Sequence, residues 1–236
     1  MRFETPLQEA RLLRRYQRFL ADMQFPDGHR DTVHCPNTGA MLGCDQAGSQ
    51  VWVSRVNKPS RKYPWTWELV RPENGPLVGI HTGRSNRLVQ EAILTGVLEE
   101  LQGYARLQAE VPAAPGYRAD FWLSGHVSKP DCFLEVKNVT AAVDQGVAIF
   151  PDAVSARASR HLHELLEKVR NGNRAVLCYC VQRDDVREVR AADAIDPEYG
   201  KMLRAALHQG VEVCAYAANV TTEELLLYRR VAVNIE

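Results

Sequence analysis

The sequence predicts a mixed α/β (α+β) chain in two parts, a small all-β unit over 1–80 and an α/β unit over 81–236. Up to about residue 76, short apolar runs alternate with turn clusters. From Ser85 onward the patterns run helix, three strands, helix, strand. A chain of 236 residues holds one large domain or two small ones, and the change of pattern favours two.

In the first part, turn clusters fall at Asp27-Gly28, Asn37-Thr38-Gly39, Ala47-Gly48-Ser49, Asn57-Lys58-Pro59 and Glu73-Asn74-Gly75-Pro76. Val51-Trp52-Val53 and Trp67-Glu68-Leu69-Val70 are compact strand candidates. Many short strands at this spacing predict a small barrel or sandwich. His34, Cys35 and Cys44 invite a zinc reading, but there is no tight Cys-x-x-Cys pair and no clear fourth ligand. Pro36-Asn37-Thr38-Gly39 reads better as a fixed turn whose amides and hydroxyl meet phosphate.

The second part opens with a helix from Ser85, which is the expected cap. Leu88 and Ala92 share one face of it, and Glu91 sits beside that face. Strands are expected over 104–111, 117–123 and 132–136, then a short apolar run at 146–150. Asp152 is the expected cap of a helix over 153–170, on which Arg157 and His161, four apart, share a face. A strand over 174–181, a helix over 197–209 and a strand over 211–217 follow, with the tail from Glu223 unassigned.

The chemistry concentrates between Arg118 and Lys137. Glu135 and Lys137 are two apart on one strand and project to the same side. Alone, Glu135-Val136-Lys137 fits a solvated strand face better than a catalytic site. Asp120 changes the balance, because an acid centred in Ala-Asp-Phe-Trp-Leu is costly to bury without compensation. If the strands pair so that Asp120 meets Glu135, two carboxylates and an ammonium converge. Mg²⁺ or Mn²⁺ suits such a pair, and a lysine beside it orients water and balances charge on phosphorus.

Composition limits the alternatives. No apolar run approaches the ~18 residues of a membrane span, and the N-terminus has acids and no apolar core, so a cytoplasmic protein is expected. Six scattered cysteines read as reduced core residues. The net charge is zero, but residues 1–72 hold eleven Lys/Arg against seven Asp/Glu, leaving +4 there and −4 in the remainder. The cations cluster at Arg11, Arg14, Arg15, Arg18 and at Arg55, Lys58, Arg61, Lys62, near Tyr16, Tyr63, Trp65 and Trp67. That mixture suits a groove that holds phosphates and stacks bases, and it equally suits an ordinary solvated surface.

Six stretches together carry a family resemblance: His34-Cys35-Pro36-Asn37-Thr38-Gly39, Arg61-Lys62-Tyr63-Pro64, Asn86-Arg87-Leu88 with Glu91-Ala92-Ile93, Arg118-Ala119-Asp120-Phe121, Glu135-Val136-Lys137-Asn138-Val139-Thr140, and Phe150-Pro151-Asp152-Ala153-Val154. Along nearly its whole length the chain resembles the sugar fermentation stimulation protein A (SfsA) family. The resemblance implies an OB-like barrel followed by a PD-(D/E)xK restriction-endonuclease-like domain, and a DNA- or RNA-binding protein with nuclease activity. It departs at Ala119, where the superfamily's name carries proline. On this reading Asp120, Glu135, the Val136 carbonyl and Glu91 hold Mg²⁺ or Mn²⁺, and Lys137 positions water. Arg15, Asn37, Thr38, Arg61, Lys62, Arg157 and His161 are the nucleic-acid candidates. A DNA-binding regulator of sugar-metabolism genes with a vestigial nuclease core, and a small-molecule phosphohydrolase, are the alternatives. A homodimer is left open.

Overall fold

The computed structural model describes residues 1–56, 60–73, 75–144 and 146–235; Asn57, Lys58, Pro59 and Asn74 of the expected turns lie outside them. In the first part each strand buries apolar residues on one face. Ala10 and Leu12 do so in β1 (Gln8–Tyr16), Ala21 and Met23 in β2 (Leu20–Gln24), and Val33 in β3 (Arg30–His34). Val51 and Val53 follow in β4 (Gln50–Arg55) and Trp67 in β5 (Trp65–Arg71). The strands pair antiparallel in the order β3-β2-β1-β4-β5, and a parallel contact of His34 with Thr66 joins β3 to β5. The result is a closed five-stranded OB barrel, and closure removes the free edges that a flat sheet of these strands would expose. A short strand, β6 (Val78–Gly79), extends it beside β5.

The second part is built on a nine-stranded mixed sheet. After α1 (Ser85–Leu94) come β7 (Arg106–Ala114), β8 (Tyr117–Ser124), β9 (Cys132–Val139), β10 (Ala142–Asp144) and β11 (Val147–Phe150). Then follow α2 (Ala156–Arg170), β12 (Arg174–Val181), β13 (Glu188–Ala191), α3 (Pro197–His208), β14 (Glu212–Val220) and β15 (Leu225–Asn234). The strand order is β10-β11-β13-β15-β14-β12-β9-β8-β7, with β12 parallel to both β9 and β14. Central strand β12 is apolar on both faces, as a doubly covered strand must be. Its Val176, Cys178 and Cys180 pack toward α1, and its Leu177, Tyr179 and Val181 toward α2 and α3. The barrel joins the first of these cores through Trp52 and Leu69.

Several expectations are corrected here. Ser85 does not cap α1; its hydroxyl donates to Asn138 Oδ1 at 3.0 Å, and the helix has no side-chain cap. Asp152 does not cap α2, which starts at Ala156 with Ser155 accepting the Ala158 N–H. Asp152 instead accepts the Met41 N–H of the barrel at 2.9 Å. The unassigned tail is a central strand, β15, antiparallel to β14 and parallel to β13. The zinc reading fails on geometry: the Cys35 thiol donates to the Asn37 carbonyl inside the barrel, and the Cys44 thiol is directed at the Thr140 carbonyl. All six cysteines are free and buried, and burial pushes the Cys132 thiol up to about 12, so these are packing atoms. Among the described residues no helix is long and apolar enough to cross a membrane.

Candidate active site

Strands β8 and β9 pair through Leu123–Cys132, Trp122–Phe133 and Phe121–Leu134, and there the ladder stops. The next residue on each strand is Asp120 and Glu135. Asp120 Oδ2 accepts the Val136 N–H at 2.7 Å, a bond that a strand carbonyl would make had the ladder continued. Asn86 on α1 donates to Asp120 Oδ1 at 2.8 Å. A strand residue's N–H and C=O face the same edge, so the Val136 carbonyl also lies on Asp120's side. Burial pushes the Asp120 carboxyl above its ordinary value and the nearby Glu135 charge adds to this; its two donors offset only part.

Glu135 lies deeper, 2% exposed. Its Oε1 accepts from Lys137 Nζ at 2.7 Å and is bonded to His161 Nδ1, while Tyr117 Oη donates to Oε2 at 3.2 Å. Arg157 Nε donates to His161 Nε2 at 3.4 Å. The Glu135 carboxylate only accepts, so Nδ1–H faces it, and Lys137 Nζ lies 3.1 Å from the same nitrogen. Burial alone would raise the Glu135 carboxyl, but the His161 bond and the Lys137 charge prevail and hold it below the ordinary range. Two carboxylates of one fork are thus shifted in opposite directions.

The fork adjoins a cleft of about 310 Å³ between barrel and sheet. Thr38 and Gly39 wall it from the barrel, Asn86 from α1, Lys137 and Asn138 from β9, and Arg157 from α2. The sheet face brings Lys137 together with Glu135, as the two-residue spacing predicts, and α2 adds both Arg157 and His161.

Other candidates are placed elsewhere. Glu91 bonds the Met1 ammonium, at 2.8 Å, which itself donates to the Leu225 carbonyl; it does not join the fork. The reason is helical: Asn86 points at Asp120, and five residues on, Glu91 lies about 140° around the axis. Arg15 is not a free phosphate ligand. It donates to the carbonyls of Arg18 at 3.0 Å, Asn37 at 3.0 Å and Gly39 at 2.7 Å. Asn37 Oδ1 accepts the Gly39 N–H at 2.9 Å, so the turn is held by its own residues and Thr38 is left exposed at its tip. Arg61 is half-buried, and after burial its charge is the second cause lowering the His34 pKa. Lys62 is exposed over the Tyr63 ring, 5.3 Å from its centre. Neither lines the cleft.

Two family models match the chain. "SfsA N-terminal OB domain" covers residues 13–80, and "Sugar fermentation stimulation protein RE domain" covers 83–224. The chain belongs to the SfsA family. A sugar fermentation stimulation protein homolog of Alkalilimnicola ehrlichii is 55% identical over 236 residues, spanning 99% of each chain. One from Pseudomonas aeruginosa PAO1 is 52% identical over 237 residues and all of both chains. Among solved structures, Pyrococcus furiosus SfsA, in complex with Ca²⁺, shares the fold at a TM-score of 0.86 and 23% identity, over 99% of this chain and 98% of that one.

Tyr117, Asn86 and Asn138 take part in this site, and sequence patterns assign them no role. Tyr117 reads only as a strand start, and the two asparagines only as letters of family motifs. A buried tyrosine needs a partner for its hydroxyl, which is the available signal.

Proposed function

We propose that this protein hydrolyses phosphodiester bonds of DNA or RNA with Mg²⁺ or Mn²⁺ at Asp120 and Glu135. The fork carries this reading: two carboxylates on adjacent strands, a strand carbonyl and a lysine ammonium converge beside an open cleft. The donor set fits such a cation, which takes oxygen ligands and needs only one or two carboxylates beside water and substrate phosphate. Each carboxylate offers about four acceptor sites, and the bonds above use two on Asp120 and three on Glu135. The raised Asp120 carboxyl is the mark of negative charge without enough compensation. The Pyrococcus furiosus relative was solved with Ca²⁺, another oxygen-seeking ion. When bound, the cation supplies Lewis-acid polarisation of the phosphate and a more acidic water.

The chain's own residues do the positioning. Lys137 Nζ sits on the cleft wall, where it orients the attacking water and balances charge growing on phosphorus. His161 and Tyr117 fix the Glu135 carboxylate from two sides. Arg157, exposed at the start of α2, meets the phosphate from the cleft. One observation favours the second reading, a DNA-binding regulator with a vestigial nuclease core. Among the described residues no group of three His, Cys, Asp or Glu side chains is arranged to hold a metal.

Single- and double-stranded DNA and RNA incubated with Mg²⁺, Mn²⁺ or EDTA decide between them. Asp120→Asn and Glu135→Gln keep size and remove charge, and each should slow cleavage by roughly two orders of magnitude. Lys137→Ala should slow it by a similar factor without weakening metal affinity. If no substrate is cut in an EDTA-sensitive way, the nuclease reading fails and the regulator stands.

A further inference from the structure

Amides line the cleft as prominently as cations, and one of them has its orientation fixed by a chain of bonds. Gln182 Nε2 donates to the His81 carbonyl at 3.2 Å, and a carbonyl only accepts, so the nitrogen end of that buried amide is settled. The same nitrogen donates to Asn138 Oδ1 at 2.6 Å, and Ser85 Oγ donates to that oxygen at 3.0 Å. With its oxygen held twice, Asn138 has its NH₂ turned away from this network. The residue lines the cleft, and among the described residues its side-chain hydrogen bonds both use the oxygen and neither the NH₂.

The opposite wall is equally fixed. Thr82 Oγ1 donates to the Pro36 carbonyl at 2.7 Å, and Met41 N–H donates to Asp152 across the junction. A Cβ on Gly39 would stand 2.7 Å from the Asp152 carboxylate, so the barrel turn lies close against that side chain. The cleft therefore does not depend on ligand to form.

We propose that this cleft is a nucleotide subsite that takes one unpaired nucleotide of the strand being cut. Its phosphate meets Arg157 and Lys137, and the Asn138 NH₂ donates to an acceptor on the base. A paired base has its edge engaged and its faces stacked; a pocket of this size takes a base only from a single strand or a frayed end. The inference rests on the nuclease reading for the phosphate that is cut, while the pocket itself is tested by binding alone.

Nucleoside monophosphates contain no diester to hydrolyse, so they are titrated calorimetrically into the full chain with Mn²⁺ present, beside inorganic phosphate. They should bind at least about tenfold more tightly than phosphate. Asn138→Asp keeps the oxygen that Ser85 and Gln182 donate to, so its melting temperature should stay near wild type while nucleotide affinity falls at least about tenfold. Thr38→Tyr, at an exposed position, fills the cleft from the barrel side and should do the same. Nucleotides binding no better than phosphate, or equally to wild type and both variants, overturn the subsite. Mn²⁺-dependent cleavage of a single strand should outpace that of a blunt duplex of the same sequence, and equal rates overturn the unpaired-strand substrate. Nucleotide binding that responds to both variants, with no cleavage of any substrate, upholds the subsite and rejects the nuclease.

Discussion

Arg15 in the barrel and Glu135 in the sheet are both nearly sealed from water, their side chains 9% and 3% exposed. Arg15 is surrounded by backbone carbonyls, Arg18 from the β1–β2 turn and Asn37, Gly39 and Ala40 from the loop after β3, with the Asp45 carboxylate at 3.6 Å. Glu135 is surrounded by side chains from three elements, Tyr117 on β8, Lys137 on β9 and His161 on α2. A cation fixed by backbone carbonyls ties together the two loops that supply them. A carboxylate fixed by titratable and cationic groups, with Lys137 on a cleft wall, is the arrangement that the proposed metal site requires. Burial of charge alone does not separate a structural group from a candidate functional one; the chemistry of its partners, backbone carbonyls against titratable side chains, is the difference here.

The largest effect on stability should follow from removing the barrel charge. Arg15→Met keeps much of the stem and strips the donors from four carbonyls, each costing up to about 1 kcal/mol where water cannot replace it. A loss of about 2 kcal/mol corresponds to a fall of roughly 4 to 8 °C in Tm for a chain of this size. An unchanged melting curve would show that the turn does not need Arg15, and would return it to the pool of ligand-binding cations.

Next comes Asp120, whose sign is opposite. Its folded pKa is raised by burial and by Glu135. Below the ordinary aspartate value of about 3.9 the group is protonated in both folded and unfolded chains and carries no penalty. As pH rises through the raised folded value, the unfolded chain releases its proton more readily, and relative stability is lost. Metal-free Asp120→Asn should therefore melt above wild type at pH 8, by about 2 to 4 °C, with the gap closing toward pH 4. Added Mn²⁺ should raise the wild type and leave the variant behind. A variant that melts well below wild type at pH 8 would make Asp120 a structural acid like those that hold ordinary folds together.

Much of this was legible in the residues, and what was not has a physical reason. The barrel strands announced themselves by alternation and turn clusters, and β12 by an unbroken apolar run that matched its bounds. Strand alternation alone placed Lys137 beside Glu135. The tail gives a weak strand signal because β15 mixes Tyr228, Arg229 and Arg230 into its apolar run, and its central position comes from pairing with β14 and β13, which sequence does not display. The family resemblance implies a carboxylate of α1 at the metal, hence Glu91, whereas the helix turns Asn86 to Asp120. Ser85 and Asp152 look like caps in the sequence, but each hydroxyl or carboxylate is spent on a partner far along the chain, Asn138 and Met41. Short-range rules cannot see such partners.

The smallest effect concerns the barrel surface and would extend the comparison from buried to exposed cations. Arg61 and Lys62 lie between β4 and β5, outside the cleft, and Lys62 stands over the Tyr63 ring. If the strand runs from the cleft across this edge, the ammonium neutralises a phosphate while the ring offers a face to a base. Removing one cation that neutralises a phosphate should flatten the slope of log K against log salt by about 0.7 for a single strand or about 0.9 for a duplex. The double variant Arg61→Ala, Lys62→Ala should then reduce the slope by roughly 1.4 on single-stranded DNA, with cleavage at saturating substrate little changed. Arg61 is half-buried near His34, so Lys62→Ala alone should account for the larger share. Arg15→Met supplies the contrast, because a guanidinium already bonded to four carbonyls releases no counterions when the strand binds. Equal slopes for wild type and the double variant would take this edge of the barrel out of the binding path and leave the cleft cations to carry it.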